Sequence, residues 1–190
     1  MPDARMARHD RTATEIVDAA WRLAAQRGLA GFTLRDVATE VGMQPPSLYS
    51  YFDSKAAIHD AMFIEGNRAL MALQREWAAT RPVDLHEAAR SFVGFCTTNP
   101  TRYQLLFQRA IPGWQPSQAA YATAREIYDF MLTRLADLGV NESRHIDLWT
   151  ALLTGLTDQQ ISNDPGGDRW SRLVDDAVDM FLAHTQGATR

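Results

Sequence analysis

The amino-acid sequence predicts an all-α protein with a small N-terminal three-helix domain and a larger helical domain, about nine helices in all. Almost no stretch alternates polar and apolar residues with a period of two, as a half-buried strand would. Apolar residues recur instead at helical spacing, and helix-capping residues precede several of these segments. Helix breakers separate the later segments, at "NP" (99), "IPGWQPS" (111), "LGVNES" (138) and "NDPGGD" (163).

Length and composition indicate a globular protein with a real core. The 190 residues, 46% of them apolar, suit one large domain or a small domain joined to a larger one. Cys96 is the only cysteine, which excludes an intrachain disulfide, and no Cys/His spacing suggests a metal site. The charged N-terminus and the lack of a long apolar run predict neither a signal peptide nor a membrane span. We therefore expect a cytoplasmic protein without a membrane partner, cofactor or metal.

The charge distribution limits how a polyanion could be bound. The net charge is −4. Residues 1–56 carry equal numbers of acidic and basic side chains, whereas residues 57–190 are acidic. Any contact with nucleic acid must therefore be local, since the net charge neither proves nor excludes it.

The N-terminal segments show the start and stop signals of short helices. Thr12 and Glu15 form a capping-box pattern for a first helix that ends at Gly28. Thr33 can cap a second helix, whose apolar residues share one face. Gly42 ends it, and the turn that follows is tight.

Two prolines place the third helix. Proline is tolerated in the first helical turn, while the residue before a proline is biased away from helix. A third helix is therefore predicted to begin at about Pro46 and run through Phe52, with Leu48 and Phe52 toward the core. Its outward face holds Ser47, Ser50 and Tyr51, with Tyr49 on the flank. Ser54 can cap a fourth helix, and the later helices are predicted at about 84–98, 100–110, 117–138, 143–162 and 168–185.

Two short helices joined by a tight turn describe a helix-turn-helix, whose second helix enters the DNA major groove. Serine hydroxyls can address base edges, and flanking tyrosines can reach phosphates. Lys55 is the only lysine among nineteen basic residues, and it lies at a helix N-terminus, where a cation opposes the dipole. Either this is chance, or Lys55 and the helix N–H groups bind a phosphate. On periodicity alone, a plain three-helix packing unit is an equal alternative.

The string "GFTLRDVATEVGMQPPSLYSYFDSKAAI" closely resembles the DNA-binding domain of TetR-family transcriptional regulators. The shared pattern is an aromatic-Thr pair, an apolar helix, Val-Gly, a recognition helix with a Leu-Tyr-x-(His/Tyr)-Phe core, and Ser-Lys. The resemblance covers about residues 10–60. The sequence departs from the pattern at Tyr51, where histidine is commoner, and at Pro45 and Pro46, where a small or basic residue is frequent.

The resemblance implies a DNA-binding domain over residues 10–56 and a helical effector-binding and dimerisation domain over 57–190. It also implies roles for single residues. Thr33 would touch a phosphate, and Leu48 and Phe52 would be core. The residues nearest the bases would be Gln44, Pro45, Pro46 and Ser47, and those clamping the backbone would be Tyr49, Tyr51 and Lys55. Arg5, Arg8 and Arg11 are expected in a disordered charged tail, the alternative being that they trail along the duplex.

The middle helices are rich in large aromatic residues. In proteins of this family the same helices enclose an effector pocket, and ligand pockets are mostly apolar with a few polar groups. Most of these aromatics should be core, and the others would line a pocket for an apolar, aromatic or polycyclic effector. The candidate effector-binding residues are Phe92, Phe95, Tyr103, Phe107, Trp114, Tyr121, Tyr128 and Trp149.

The last predicted helix carries an apolar face wide enough for both a core and a partner. The resemblance implies a homodimer in which the last two helices of each subunit pack as a four-helix bundle. The candidate interface residues are Trp149, Leu153, Leu156, Trp170, Val174, Val178 and Phe181. For Trp170 and Phe181 a purely internal core role is equally supported.

The function this predicts is a homodimeric repressor that binds a palindromic operator in double-stranded DNA and is released by a small-molecule effector. An activator or an effector-independent regulator remains open, as does an all-α small-molecule-binding protein or enzyme with a vestigial helix-turn-helix. An enzyme is not expected, because the five histidines lie at no ligand or triad spacing and no catalytic motif is present. His59 in particular is expected to serve packing or hydrogen bonding.

Overall fold

The computed structural model of the protein describes residues 4–80 and 84–187. Within these ranges lie nine α-helices, one 3-10 turn and no strand. The prediction of an all-α fold with about nine helices is confirmed. The helices are α1 (Ala4–Arg27), α2 (Leu34–Glu40), α3 (Pro45–Leu48), α4 (Lys55–Thr80), α5 (Leu85–Thr98), α6 (Pro100–Phe107), α7 (Gln118–Ala136), α8 (Ser143–Asn163) and α9 (Val174–Gly187).

The chain divides into two compact units. The first contains the residues up to 66 together with 104–122, and the second contains 67–103 together with the residues from 123 onward. This division differs from the predicted boundary at residue 56. The reason is that segment 104–122 packs on the start of α4, where the Ser117 amide donates to Asp60 Oδ1 at 3.3 Å. Whether DNA and effector binding divide at the predicted boundary stays a prediction.

The first unit has its core where α1 meets the helix-turn-helix. α1 packs on α2, and α2 packs on α3. The Trp21 indole N–H donates to Glu65 Oε2 at 2.9 Å, which links α1 to α4. A fully buried large apolar side chain stabilises such a unit by about 1.5–3 kcal/mol. The largest fully buried side chains here are Ile16, Phe32, Val37, Leu48, Ile58 and Met62.

The beginning of α1 differs from the prediction. Thr12 was expected to cap the helix, but it lies inside α1, which begins at Ala4. Arg5, Arg8 and Arg11 therefore lie in a helix and not in a disordered tail. The physical reason is intrinsic propensity, since alanine, arginine and methionine favour helix even where no apolar stripe is present.

In the second unit α5, α8 and α9 pack against one another. The Trp149 and Phe181 rings meet with centroids 5.1 Å apart. The core cluster consists of Leu85, Ala89, Val93, Leu135, Val140, Trp149, Leu153, Val174, Val178 and Phe181.

The last helix begins later than predicted. α9 starts at Val174, after a 3-10 turn over Ser171–Leu173, whereas the sequence pattern had suggested a helix from about residue 168. The buried Gln160 explains the turn. Its Oε1 accepts the amide N–H groups of Trp170 (2.8 Å) and Ser171 (3.0 Å), so these amides bond to a side chain of α8.

The described ranges contain neither a membrane-spanning helix nor a metal-binding cluster. None of the helices there is both long and apolar enough to cross a membrane. The same ranges hold no group of three histidine, cysteine, aspartate or glutamate side chains placed to bind a metal ion.

Candidate DNA-binding surface

The start of α2 is fixed by a reciprocal cap. Asp36 N donates to Thr33 Oγ1 at 3.2 Å, and Thr33 N donates to Asp36 Oδ2 at 2.8 Å, which completes a capping box. The Thr33 hydroxyl also donates to Asp36 Oδ2 at 2.6 Å. These hydrogen bonds hold the pKa of the Asp36 carboxyl below its usual value, and the Arg27 guanidinium, 3.1 Å away, makes a smaller contribution in the same direction. The predicted cap is confirmed, and the hydroxyl expected to touch phosphate is already engaged in it.

The helix after the turn begins one residue earlier than predicted. Gln44 is extended, and Pro45 and Pro46 occupy the first two helical positions. Because the first amides of a helix need no intrahelical partner, both prolines fit there, and the bias against helix before a proline is overcome. Helical hydrogen bonding continues past Leu48, since Phe52 N donates to Leu48 O at 3.0 Å. The hydrogen bonding therefore reaches the predicted end at Phe52, although the regular helix ends at Leu48 because the last turn is irregular.

The outer face of α3 is small, polar and open to solvent. Leu48 is fully buried and anchors the helix, whereas Phe52, also predicted as core, is only half-buried. Pro45 is half-buried as well. The exposed predicted contacts are Gln44, Pro46, Ser47 and Tyr49, the last with 54% of its surface accessible. Hydroxyl, amide and phenol groups on an exposed helix of a helix-turn-helix are suited to hydrogen bonds with base edges and phosphates.

Tyr51 stacks on a residue that the sequence analysis had not assigned to the site. The His9 and Tyr51 rings lie 4.6 Å apart with an interplanar angle of 23°. This contact brings the first turns of α1 beside the segment that follows α3. The high helix propensity of residues 4–11 could have predicted the helix that carries His9, but not this contact.

Lys55 is held within the first unit by two contacts. Its Nζ donates to the Ala30 carbonyl at 2.8 Å and lies 4.6 Å from the centre of the Phe32 ring. Burial lowers the pKa of Lys55, while the charge of Asp36 acts in the opposite direction. An ammonium has three donors, and one of them binds Ala30. The phosphate contact predicted for Lys55 stays a prediction, but the residue also fastens the loop before α2.

This surface coincides with a known sequence family. Residues 16–62 match the family model described as bacterial regulatory proteins, tetR family. The matched range runs from the buried face of α1 through α2 and α3 into α4. This N-terminal part of the chain is therefore a domain of the TetR-family type. The predicted relationship is thereby confirmed, and with it a helix-turn-helix DNA-binding domain.

Solved structures share the fold of this protein over nearly its whole length. The protein SCO4313 is 20% identical, has a TM-score of 0.80, and is matched over 96% of this chain and 100% of its own. FadR from Bacillus subtilis in complex with stearoyl-CoA is 15% identical, with a TM-score of 0.67 over 90% of this chain and 97% of its own. Thermus thermophilus FadR, a TetR-family repressor in complex with lauroyl-CoA, is 18% identical, with a TM-score of 0.58 over 90% and 93%.

The predicted effector-binding residues do not share one environment. In the second unit Trp149 and Tyr103 are buried, and the Tyr103 hydroxyl donates to Thr154 O at 3.3 Å. Phe92 and Phe95 are half-buried, and Tyr128 is exposed. The Arg102 guanidinium lies 5.5 Å from the centre of the Phe95 ring.

The other three candidates lie in the first unit. Phe107 and Tyr121 are exposed. Trp114 is half-buried and meets the rings of His59 and Phe63 edge-on, with centroids 5.6 and 6.0 Å away. It also forms part of the wall of a cleft of about 460 Å³, which is otherwise lined by Arg109, Ile111, Pro112, Gly113 and Gln115.

The candidate interface residues are mostly used inside the protomer. Five of them belong to the core cluster of the second unit: Trp149, Leu153, Val174, Val178 and Phe181. For Phe181 this is the internal core role that the sequence left open. Leu156 and Trp170 are half-buried. The exposed large apolar residues on the last two helices are instead Leu148, with 47% of its surface accessible, and Met180, with 67%. The sequence did not predict that Leu148 and Met180 would be exposed, because the apolar pattern of a helix does not show which of its apolar residues the core will cover.

Proposed function

We propose that this TetR-family regulator is a cytoplasmic, homodimeric repressor, without enzymatic activity, that binds a palindromic operator through α3. The observation that carries the proposal is the exposed face that Pro46 forms with the polar side chains of Gln44, Ser47 and Tyr49, anchored from behind by the fully buried Leu48. Rigid anchoring with a polar exterior is what direct readout in the major groove requires.

A two-fold dimer would follow from the exposed apolar edge of α8 and α9. Leu148, Ala151 and Gly155 are exposed at positions i, i+3 and i+7 of α8, so they lie on one side of the helix. Met180 is exposed on α9, which packs against α8. Small residues beside a leucine and a methionine allow helices of two subunits to approach closely. A two-fold axis there would present two copies of α3 to an inverted repeat.

An apolar small molecule is proposed as the effector that releases the dimer from DNA. The support is the half-buried pair Phe92 and Phe95 in the second unit, together with the acyl-CoA ligands of the two FadR proteins that share this fold. A ligand shifts the equilibrium only by its differential affinity for the DNA-bound and DNA-free shapes. Lauroyl-CoA and stearoyl-CoA are therefore the first probes, and free coenzyme A is the matched control.

The experiment titrates these probes into the protein bound to a fluorescent duplex that it has itself selected from a random pool. Release by an acyl-CoA but not by coenzyme A, and reduced release in a Phe95→Ala variant with unchanged DNA affinity, would support the proposal. Selective DNA binding that no apolar probe affects would favour the effector-independent alternative. Increased transcription from a template carrying the selected site would favour the activator.

A further inference from the structure

Two donors on α4 hold the loop that precedes α2. Lys55 Nζ donates to the carbonyl of Ala30 at 2.8 Å, and His59 Nε2 lies 3.1 Å from the carbonyl oxygen of Leu29. The two donors are four residues apart and therefore lie one above the other on the same face of α4. The two acceptors are consecutive carbonyls of the chain. The loop is thus fixed at two adjacent points just before Thr33 caps α2.

The contact to Leu29 assigns the proton of His59. A carbonyl oxygen can only accept, so Nε2 carries the hydrogen in this contact. His59 is buried, with 2% of its surface accessible. Burial is the largest effect on the pKa of His59 and lowers it, as does the nearby charge of Lys55. The hydrogen bond to Leu29 and the charge of Asp60 act in the opposite direction, but the pKa of His59 remains below its usual value. At neutral pH His59 is therefore a neutral donor.

The ring of His59 also lies between two segments that are distant in sequence. It meets Phe32, at the end of the held loop, edge-on with centroids 5.5 Å apart. It meets Trp114, from segment 104–122, in the same way at 5.6 Å. The next residue, Asp60, accepts the Ser117 amide of that segment. One turn of α4 thus binds both the loop before the helix-turn-helix and the segment between α6 and α7.

We propose that His59 is a positioning residue for DNA binding. Its N–H holds the Leu29 carbonyl and, with Lys55, fixes the loop from which α2 starts, so that α3 is presented in one orientation. Protonation places a second cation beside Lys55 in a buried site and loosens this arrangement. The inference rests on the proposed DNA-binding function, and it adds a residue that does not touch DNA itself.

The first test compares two substitutions with different chemistry. His59→Phe keeps a ring against Phe32 and Trp114 but removes the donor, whereas His59→Gln keeps an N–H donor and removes the titrating group. At pH 8 we expect His59→Phe to weaken binding to the selected duplex about three- to tenfold, the effect of one lost hydrogen bond. His59→Gln should retain most of the affinity. Melting temperatures and circular dichroism establish that both variants are folded.

The matched control is His145→Phe. His145 is buried to a similar degree, with 3% of its surface accessible, and its ring also meets another ring edge-on, that of His184. It lies on α8 in the second unit and outside the proposed DNA contacts. This substitution should change stability without changing the affinity of the folded protein for the duplex.

The second test is a pH profile, which a merely structural role would not alter. A histidine whose pKa is lowered in the folded state stabilises it fully above the ordinary value of about 6.5 and progressively less as pH falls below that value. Because the folded protein takes up this proton only below the lowered pKa of His59, wild-type affinity should fall relative to that of His59→Gln, which lacks this titration, at a pH below about 6.5. The ratio of the two affinities cancels the contributions of other titrating groups.

The outcomes separate this inference from the function on which it rests. If wild-type protein selects no duplex, DNA binding itself is refuted. If wild type binds but His59→Phe binds equally well, or if the affinity ratio of wild type to His59→Gln is independent of pH, the positioning role is overturned. If His59→Phe and His145→Phe weaken binding equally, the effect is general destabilisation, which also overturns it.

Discussion

Lys55 shows how one residue can serve two interactions. One ammonium donor binds the Ala30 carbonyl, and the charge lies over the Phe32 ring, so the side chain is oriented before any ligand arrives. The two remaining donors are the ones with which we propose that Lys55 binds a phosphate. The position of a lysine at the unfavourable end of the helix dipole is thus explained by tertiary contacts that outweigh a dipole term of about 0.3–1 kcal/mol.

Lys55→Ala separates the two interactions. Losing a phosphate contact should weaken binding to all duplexes alike and lower the slope of log K against log salt by about one unit per protomer. Lys55→Arg keeps the charge and serves as the control. A weaker affinity with an unchanged slope would show that Lys55 acts only through the loop, and no change in either would show that Lys55 contributes nothing to DNA binding.

The residue contacts of Lys55 and His59 could not be predicted from the sequence. Both side chains bind backbone carbonyls at least 25 residues away, and a carbonyl group has no sequence signature. The stack of His9 on Tyr51 has the same cause, since it depends on two elements meeting in space. By contrast, Thr33 was correctly predicted as a cap, because its partner Asp36 lies within one turn.

At the scale of the element, α2 depends on its cap. It has seven residues, too few to persist in isolation, because helix nucleation is costly. The capping box therefore does much to define where α2 begins, and the tertiary contacts with α1 and α3 hold it in place. The start of α3 has no side-chain cap and relies on prolines at its first two positions.

Replacing the cap should cost measurable stability. Thr33→Ala removes both the acceptor and the donor of the hydroxyl, and we expect it to lower the free energy of unfolding by about 1 kcal/mol. Thr33→Ser retains the hydroxyl and should stay close to wild type. Urea unfolding followed by circular dichroism measures both, and an unchanged midpoint in Thr33→Ala would refute the role of the box.

The ends of helices could be predicted where the residues that start or stop a helix lie next to it in the sequence. Gly42 was expected to end the second helix, and it adopts φ 69°, a conformation that favours glycine. Thr12 was misread as a cap because the capping pattern occurs by chance within a longer helix. The start of α9 was misplaced because Gln160, on another helix, satisfies the amides of Trp170 and Ser171.

At the scale of the whole molecule, the apolar pattern of the last helices served the core of the protomer. Phe181 and Val178 are buried against α5 and α8. The periodicity of one helix does not predict which other helices will cover its apolar face. The sequence therefore predicted which face of α9 is apolar and left open whether it meets its own chain or a partner. On the described parts of α8 and α9 the exposed large apolar residues are Leu148 and Met180, which we therefore propose as contacts for a partner subunit.

A charge on this exposed edge should disrupt the dimer while leaving the fold intact. We expect Met180→Glu to raise the dimer dissociation constant about a hundredfold, because an unpaired buried carboxylate costs about 3 kcal/mol. Ala136→Glu adds the same charge at an exposed position on α7 and is the matched control. Sedimentation equilibrium measures both, and a Met180→Glu dimer as tight as wild type would place the interface elsewhere.

The measurement that tests the central claim most directly is the selection of duplexes from a random pool, sequenced after several rounds. Wild-type protein should enrich an inverted repeat with half-sites about 34–36 Å apart or a multiple of that spacing. A variant carrying Gln44→Ala and Ser47→Ala should remain folded and retain salt-dependent binding but lose the enriched sequence, because it keeps the phosphate contacts and lacks the proposed base contacts. Enrichment of no sequence by wild type, or of the same repeat by this variant, would contradict the account.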